Sequence, residues 1–237
     1  MNTTVYALMI IGIIIQASFI IVEHKEKYVL ADILKGTASL AFVIIGFLGM
    51  KTGLNPGFAE KIFTGLVFGM IGDILLNLRF VFEKNGQKIF LAGIAAFLTG
   101  HILYLIALIP HARHLVADII IGTLLAAGLL AYIFKTMDVK PAFKAFGVLY
   151  LGAVIIMTCI AIDCAIFSLP IMISGSPEVG KLSAVIYAIG AVLFTASDIV
   201  LIFNTFSGVT RFSLRITNLT LYYIGQLLIA ASLFYPR

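Results

Sequence analysis

The chain has 237 residues, 16 of them Lys+Arg and 11 Asp+Glu, with a net charge of +5 and 62% apolar residues. Only 11% are charged, against about 25% in soluble domains, which excludes a water-soluble globular enzyme. The Lys and Arg residues form no compact patch, which excludes nucleic-acid binding as a main role and leaves an integral membrane protein.

A spanning helix needs about 20 mostly apolar residues. Eight segments meet this, at roughly 4–22, 29–50, 58–80, 88–109, 114–134, 145–170, 182–204 and 215–235. They predict an all-α, polytopic fold in one transmembrane domain over 1–237. The first span lacks a positive leader and a small-x-small cleavage site, so it reads as a retained helix. Turn-forming residues fall between spans: Asn55-Pro56-Gly57, Asn85-Gly86, Pro110, Pro141 and Gly175-Ser176-Pro177.

Connections 1–2, 3–4, 5–6 and 7–8 hold ten Lys/Arg: Lys25, Lys27, Arg79, Lys84, Lys88, Lys135, Lys140, Lys144, Arg211 and Arg215. The other side holds five: Lys51, Lys61, Arg113, Lys181 and Arg237. The positive-inside bias then places both termini outside the cytoplasm, in a cell membrane of bacterial inner-membrane type. Cys159 and Cys164, five residues apart in one span, lie on different helix faces and read as small apolar packers.

Two patterns recur at an offset of 125 residues. Gly72-Asp73-Ile74-Leu75-Leu76 in span 3 matches Ser197-Asp198-Ile199-Val200-Leu201 in span 7, and Gly100-His101-Ile102-Leu103 in span 4 matches Gly225-Gln226-Leu227-Leu228 in span 8. Gly65 and Gly190 also correspond. The expectation is a parallel 4+4 repeat, roughly 1–110 and 111–237, with Asp73 and Asp198 at similar depth.

Ionisable groups inside a bilayer are costly and mark function by default. Asp118, near the start of its span, reads as a solvated helix-end charge. Asp32 and Lys35, three residues apart, either neutralise each other or leave Lys35 to reach inward toward an anionic head group or a carboxylate. Asp163 stays open between a structural and a functional role. Asp73 and Asp198 form the strongest pair, each preceded by a small residue that permits close helix approach. Two carboxyls in one low-dielectric site do not both ionise cheaply, and the resulting acid and base suit acid/base catalysis or a proton-coupled carrier. His101, one turn before Tyr104, and Asn77, one turn past Asp73, add polar groups, as do Tyr150, Tyr222, Tyr223 and Gln226. No metal-binding spacing such as HExxH or HxxxH occurs, and no Walker or GxSxG motif does.

These polar positions resemble those of the YhhN-like lysoplasmalogenase family of eight-span membrane hydrolases. The resemblance is carried by Gly72-Asp73-Ile74-Leu75-Leu76, Phe97-Leu98-Thr99-Gly100-His101-Ile102-Leu103-Tyr104, Gly190 through Asp198, and Tyr222-Tyr223-Ile224-Gly225-Gln226-Leu227-Leu228-Ile229. One departure is Lys35-Gly36, where the family tends to carry Lys-Pro. The resemblance implies hydrolysis of the vinyl-ether bond of a lysophospholipid, a lysoplasmalogen, to a fatty aldehyde and glycerophosphocholine or glycerophosphoethanolamine, with no cofactor and no metal. It casts Asp73 and Asp198 as the catalytic pair. His101, Tyr104, Tyr223, Gln226 and Asn77 are candidates for positioning water or substrate, and Lys35 for meeting the phosphate. The competing class is a proton-coupled transporter of a small or amphipathic solute that uses the same aspartates.

Overall fold

The computed structural model describes residues 3–52, 55–139, 141–167, 177–208 and 210–234. Among these the chain is all-α, with eight helices: α1 (Thr3–His24), α2 (Tyr28–Thr52), α3 (Pro56–Leu78), α4 (Gly86–Leu108), α5 (Leu115–Thr136), α6 (Pro141–Phe167), α7 (Pro177–Phe206) and α8 (Phe212–Ala231). Local chemistry sets several boundaries. The Asn55 side chain accepts from the Phe58 N–H at 3.2 Å, with Pro56 in the first turn of α3, a combination that starts helices well. The α1–α2 turn passes through Glu26 in the left-handed region, at φ 56°.

Seven of the described helices are long and apolar enough to cross a membrane, which fits an integral membrane protein. The expected eighth span, α8, falls short on composition. It carries Asn218, Tyr222, Tyr223 and Gln226, all buried in the bundle interior. Apolar side chains such as Ile10, Ile14, Ile33, Leu124, Leu149 and Ile189 instead lie exposed on the outer surface, the inverse of a water-soluble protein and the arrangement hydrocarbon favours.

Neighbouring helices pack in two similar series. In the first half α1 packs on α2, α2 on α3 and α3 on α4; in the second, α5 packs on α6, α6 on α7 and α7 on α8. The series are joined chiefly by α4 with α6 and α2 with α8, and α1 and α3 also touch α8. The α3–α4 and α7–α8 pairs are the most intimate, and both cross at glycines. A Cβ on Gly100 would lie 2.9 Å from the Gly65 carbonyl oxygen; one on Gly225 would lie 2.8 Å from that of Gly190. Only glycine permits such backbone approach, and close approach is how helices gain packing where lipid supplies no hydrophobic drive. The first and last helices are fastened together by Arg215, which donates to both carboxylate oxygens of Glu23 at 2.6 and 3.0 Å, and by the Gln16 amide, which donates to the Leu219 carbonyl at 2.8 Å.

Candidate functional site

A cavity of about 100 Å³ lies toward one end of the bundle, walled by the N-terminal parts of α2, α4, α6 and α8 and the C-terminal parts of α3 and α7. That end carries the connections rich in Lys and Arg. Its volume is that of about three water molecules. The walls are apolar, with Phe97, Phe194 and Leu201 among them, and the polar groups are few: Lys35, Asp73, Tyr150, Ser197, Asp198, Asn218, Arg215, Tyr222 and Thr205. Both aspartates therefore line one small space.

Asp73 comes from α3 and is 2% exposed. Lys35 of α2 places Nζ 3.3 Å from its Oδ1, with the ammonium also over the Phe19 ring at 5.7 Å. The other oxygen, Oδ2, accepts from the Ser39 and Tyr222 hydroxyls, each at 2.6 Å. Tyr223 closes a second layer, its hydroxyl 3.0 Å from Ser39 Oγ and 3.1 Å from the Lys35 carbonyl. The ammonium and the two hydroxyl donors each offset part of the hydration that the carboxyl group loses on burial.

Asp198 of α7 is held differently. Its Oδ2 accepts from the Tyr150 hydroxyl of α6 at 2.6 Å, and among the described residues no cation pairs with it. Beside it, the Asn218 amide donates to the Ser197 carbonyl and hydroxyl oxygens at 3.0 and 2.8 Å, bracing α8 against α7. In each half of the chain the aspartate thus takes a partner from the second helix of that half, α2 for Asp73 and α6 for Asp198. The partners differ in kind: an ion pair in one half, a lone phenol in the other.

The remaining sequence candidates fall behind this wall or away from it. His101 stands off the cavity, with Nδ1 2.7 Å from the Phe97 carbonyl and Nε2 buried without a partner. Its ring packs against Tyr150 and Phe194, which do line the cavity. Tyr104 donates to Gln226 Oε1 at 3.3 Å in a layer behind Tyr222. Asn77, in the amide orientation that satisfies both neighbours, donates to Glu23 and accepts from the Asp32 backbone N–H, and so supports the Glu23–Arg215 pair. Lys35 is paired with Asp73 across α2 and α3 rather than with Asp32.

Two acids lie at the opposite end of the bundle. Asp163 accepts from the backbone N–H groups of Arg113 and His114 at 2.6 and 3.3 Å, and its other oxygen lies 2.7 Å from His114 Nδ1. It fixes the loop that opens α5. Asp118 is 7% exposed, with Oδ2 buried and unpartnered, because it faces α6 rather than solvent.

Ser39 and the Ser197–Asn218 brace are neighbours of the two aspartates that sequence reading passed over. A signal existed. Ser39 follows Lys35 by one turn, and Arg215, Asn218, Tyr222 and Gln226 recur at three- to four-residue spacing, a polar stripe on an otherwise apolar helix.

A family model, the YhhN family, matches residues 30–233. No curated protein and no solved structure matches the chain. The matched stretch contains Lys35, Ser39, Asp73, Tyr150, Asp198 and Tyr222, the polar groups around the cavity, and most of the chain besides. On that match the chain belongs to the YhhN family.

Proposed function

We propose that this chain is a lysoplasmalogenase: it hydrolyses the vinyl ether of a lysoplasmalogen to a fatty aldehyde and a glycerophospho-choline or -ethanolamine. The observation that carries the reading is the unequal pair on one cavity, with Asp73 matched by Lys35, Ser39 and Tyr222 and Asp198 bonded by Tyr150. A buried carboxyl without a cation favours its neutral form, and one beside an ammonium favours its anion. In this reading Asp198 is the acid and Asp73 the base.

The chemistry then balances. Asp198 delivers its proton to the alkenyl carbon distal to oxygen, and the C=C electron pair forms that C–H bond. The carbon bonded to oxygen becomes an oxocarbenium ion, which the Asp73 carboxylate stabilises, as paired carboxyls do in glycoside hydrolysis. Water adds to that carbon while Asp73 takes a water proton. The hemiacetal collapses to aldehyde, and the departing glycerol oxygen leaves protonated. The hemiacetal hydroxyl proton and the proton on Asp73 between them restore Asp198 and protonate that oxygen. The apolar walls keep bulk water from the cation. A cavity of this size admits the reacting ether end, while the alkyl tail stays between helices.

The same reading takes α8 as an eighth span and the chain as two parallel four-helix halves. Its support is the matching packing series and the two glycine crossings, at residues 125 apart. It sets the cavity near the cytoplasmic face of a cell membrane, with both termini outside. The test is aldehyde release from lysoplasmalogen by purified protein. Asp73→Asn and Asp198→Asn, each folded, are expected to abolish it, and retention of activity in either would sink the paired-aspartate mechanism.

A further inference from the structure

A phospholipid substrate brings a phosphate, and three cations lie near the cavity to meet it. Two are already committed. Lys35 is paired with Asp73, and Arg215 donates through two nitrogens to Glu23. The third is Arg79, at the C-terminal end of α3. Its guanidinium carbon lies 4.6 Å from the centroid of the Phe80 ring and 4.3 Å from that of Phe90. Its Nε is buried with no hydrogen-bond partner, and among the described residues no carboxylate pairs with it.

Arg79 lines a groove together with Gln87, Phe90, Phe143, Thr205 and Phe206. The last four also line the aspartate cavity, so the groove continues that cavity outward. Phe143 packs edge-on against Phe90, with centroids 5.4 Å apart, and tilts against Phe206 at 5.8 Å. The three rings form the partition between groove and cavity. Arg79 thus sits beyond an aromatic partition from the acids, held by ring faces that leave its N–H donors unspent. A planar fork of donors with no carboxylate at ion-pair distance among the described residues matches two oxygens of a phosphodiester.

We infer that Arg79 is the phosphate-recognition residue of this site, binding the head-group phosphodiester of a single-chain lipid whose ether end enters the cavity. The inference rests on the lysolipid reading above, and it makes Arg79 a determinant of specificity. The phosphate lies outward, at the polar end of the bundle, and the glycerol joins it to the acids past Phe90.

The test compares lysoplasmalogen with the phosphate-free 1-alkenylglycerol of the same chain. Wild-type protein is expected to show a KM lower by about tenfold or more for the phosphate-bearing lipid, the effect of one charged hydrogen-bonding contact. Arg79→Gln is expected to bring the two KM values together, and Arg79→Lys to restore part of the difference. A KM ratio in Arg79→Gln equal to that of wild type overturns the inference. Should Arg79→Gln not fold, Arg79→Lys carries the test, and an unchanged ratio there overturns it equally. If no substrate yields aldehyde, the hydrolase reading fails separately. Binding of ester-linked lysophosphatidylcholine in nanodiscs then decides for Arg79: about tenfold weaker binding by Arg79→Gln supports it, and equal binding overturns it. Inorganic phosphate at millimolar concentration is expected to leave lysolipid binding unchanged, and competition would overturn a lipid head group as the occupant.

Discussion

Lys35 and Asp73 form an ion pair at 3.3 Å that is almost wholly removed from solvent, with the two side chains 4% and 2% exposed. Such a pair gives little net stability, because desolvating two charges offsets most of their attraction, yet breaking it strands one charge in apolar surroundings. It places a lysine and a carboxyl group, matched to each other, on the wall of the cavity.

From that follows a thermodynamic cycle. Lys35→Met is expected to destabilise the protein by about 3–5 kcal/mol, since it leaves Asp73 uncompensated. The double variant Lys35→Met/Asp73→Asn is expected to lose clearly less than the sum of the two single losses. Thermal unfolding in detergent measures all four corners, and additive losses would contradict the pairing.

Tyr150→Phe keeps the ring that packs on His101 and removes only the hydroxyl that donates to Asp198 at 2.6 Å. Stability is expected to fall by about 1 kcal/mol, the net worth of one hydrogen bond. Aldehyde release is expected to fall by about tenfold, because Asp198 loses the contact that orients it. A rate equal to wild type would remove Tyr150 from the site.

Gly225→Ala places a methyl 2.8 Å from the Gly190 carbonyl oxygen and 3.1 Å from the Phe194 nitrogen, both backbone atoms. The α7–α8 pair must part, with an expected loss of about 1–3 kcal/mol. Gly100→Ala, facing Gly65 in the other half, is expected to do the same. Gly128 meets nothing within 4 Å and is exposed, so Gly128→Ala is expected to be neutral or slightly stabilising through helix propensity. Unfolding temperatures of the three variants check the contrast.

Asp163→Ala separates structure from chemistry. It removes the acceptor for two backbone N–H groups at the start of α5, so a loss of about 1–3 kcal/mol is expected. Turnover should remain near wild type. On α6 the site's Tyr150 lies roughly 20 Å away, at 1.5 Å per residue. A large drop in kcat with unchanged unfolding temperature would give Asp163 a chemical role.

The helices were legible because hydrocarbon thickness imposes a length that few other folds need, and glycine and aspartate at one offset stood out against an apolar background. The polar stripe of α8 was equally present in the letters, but its direction depends on what surrounds the helix. Lys35 shows the limit most clearly. Asp32 is its neighbour along the helix, yet its partner is Asp73, because the lysine stem points across the α2–α3 contact. Asp118 is the converse. Closeness to a helix end suggested solvent, but α6 covers that face. Spacing within one helix is written in the sequence; the identity of the facing helix is set by packing.

The Arg215–Glu23 bridge joins residues 192 positions apart. Tyr222 and Tyr223, which complete the surroundings of Asp73, come from the same last helix as Arg215. During synthesis, then, the ribosome has made Lys35 and Asp73 long before their phenol partners exist, and Glu23 of α1 has the Asn77 amide of α3 but not the Arg215 guanidinium until α8 emerges. A chain that stops short of α8 carries both aspartates but only part of the shell around Asp73. The hydrogen-bonded surroundings of Asp73 therefore close only once α8 has been made and has packed against α2 and α3.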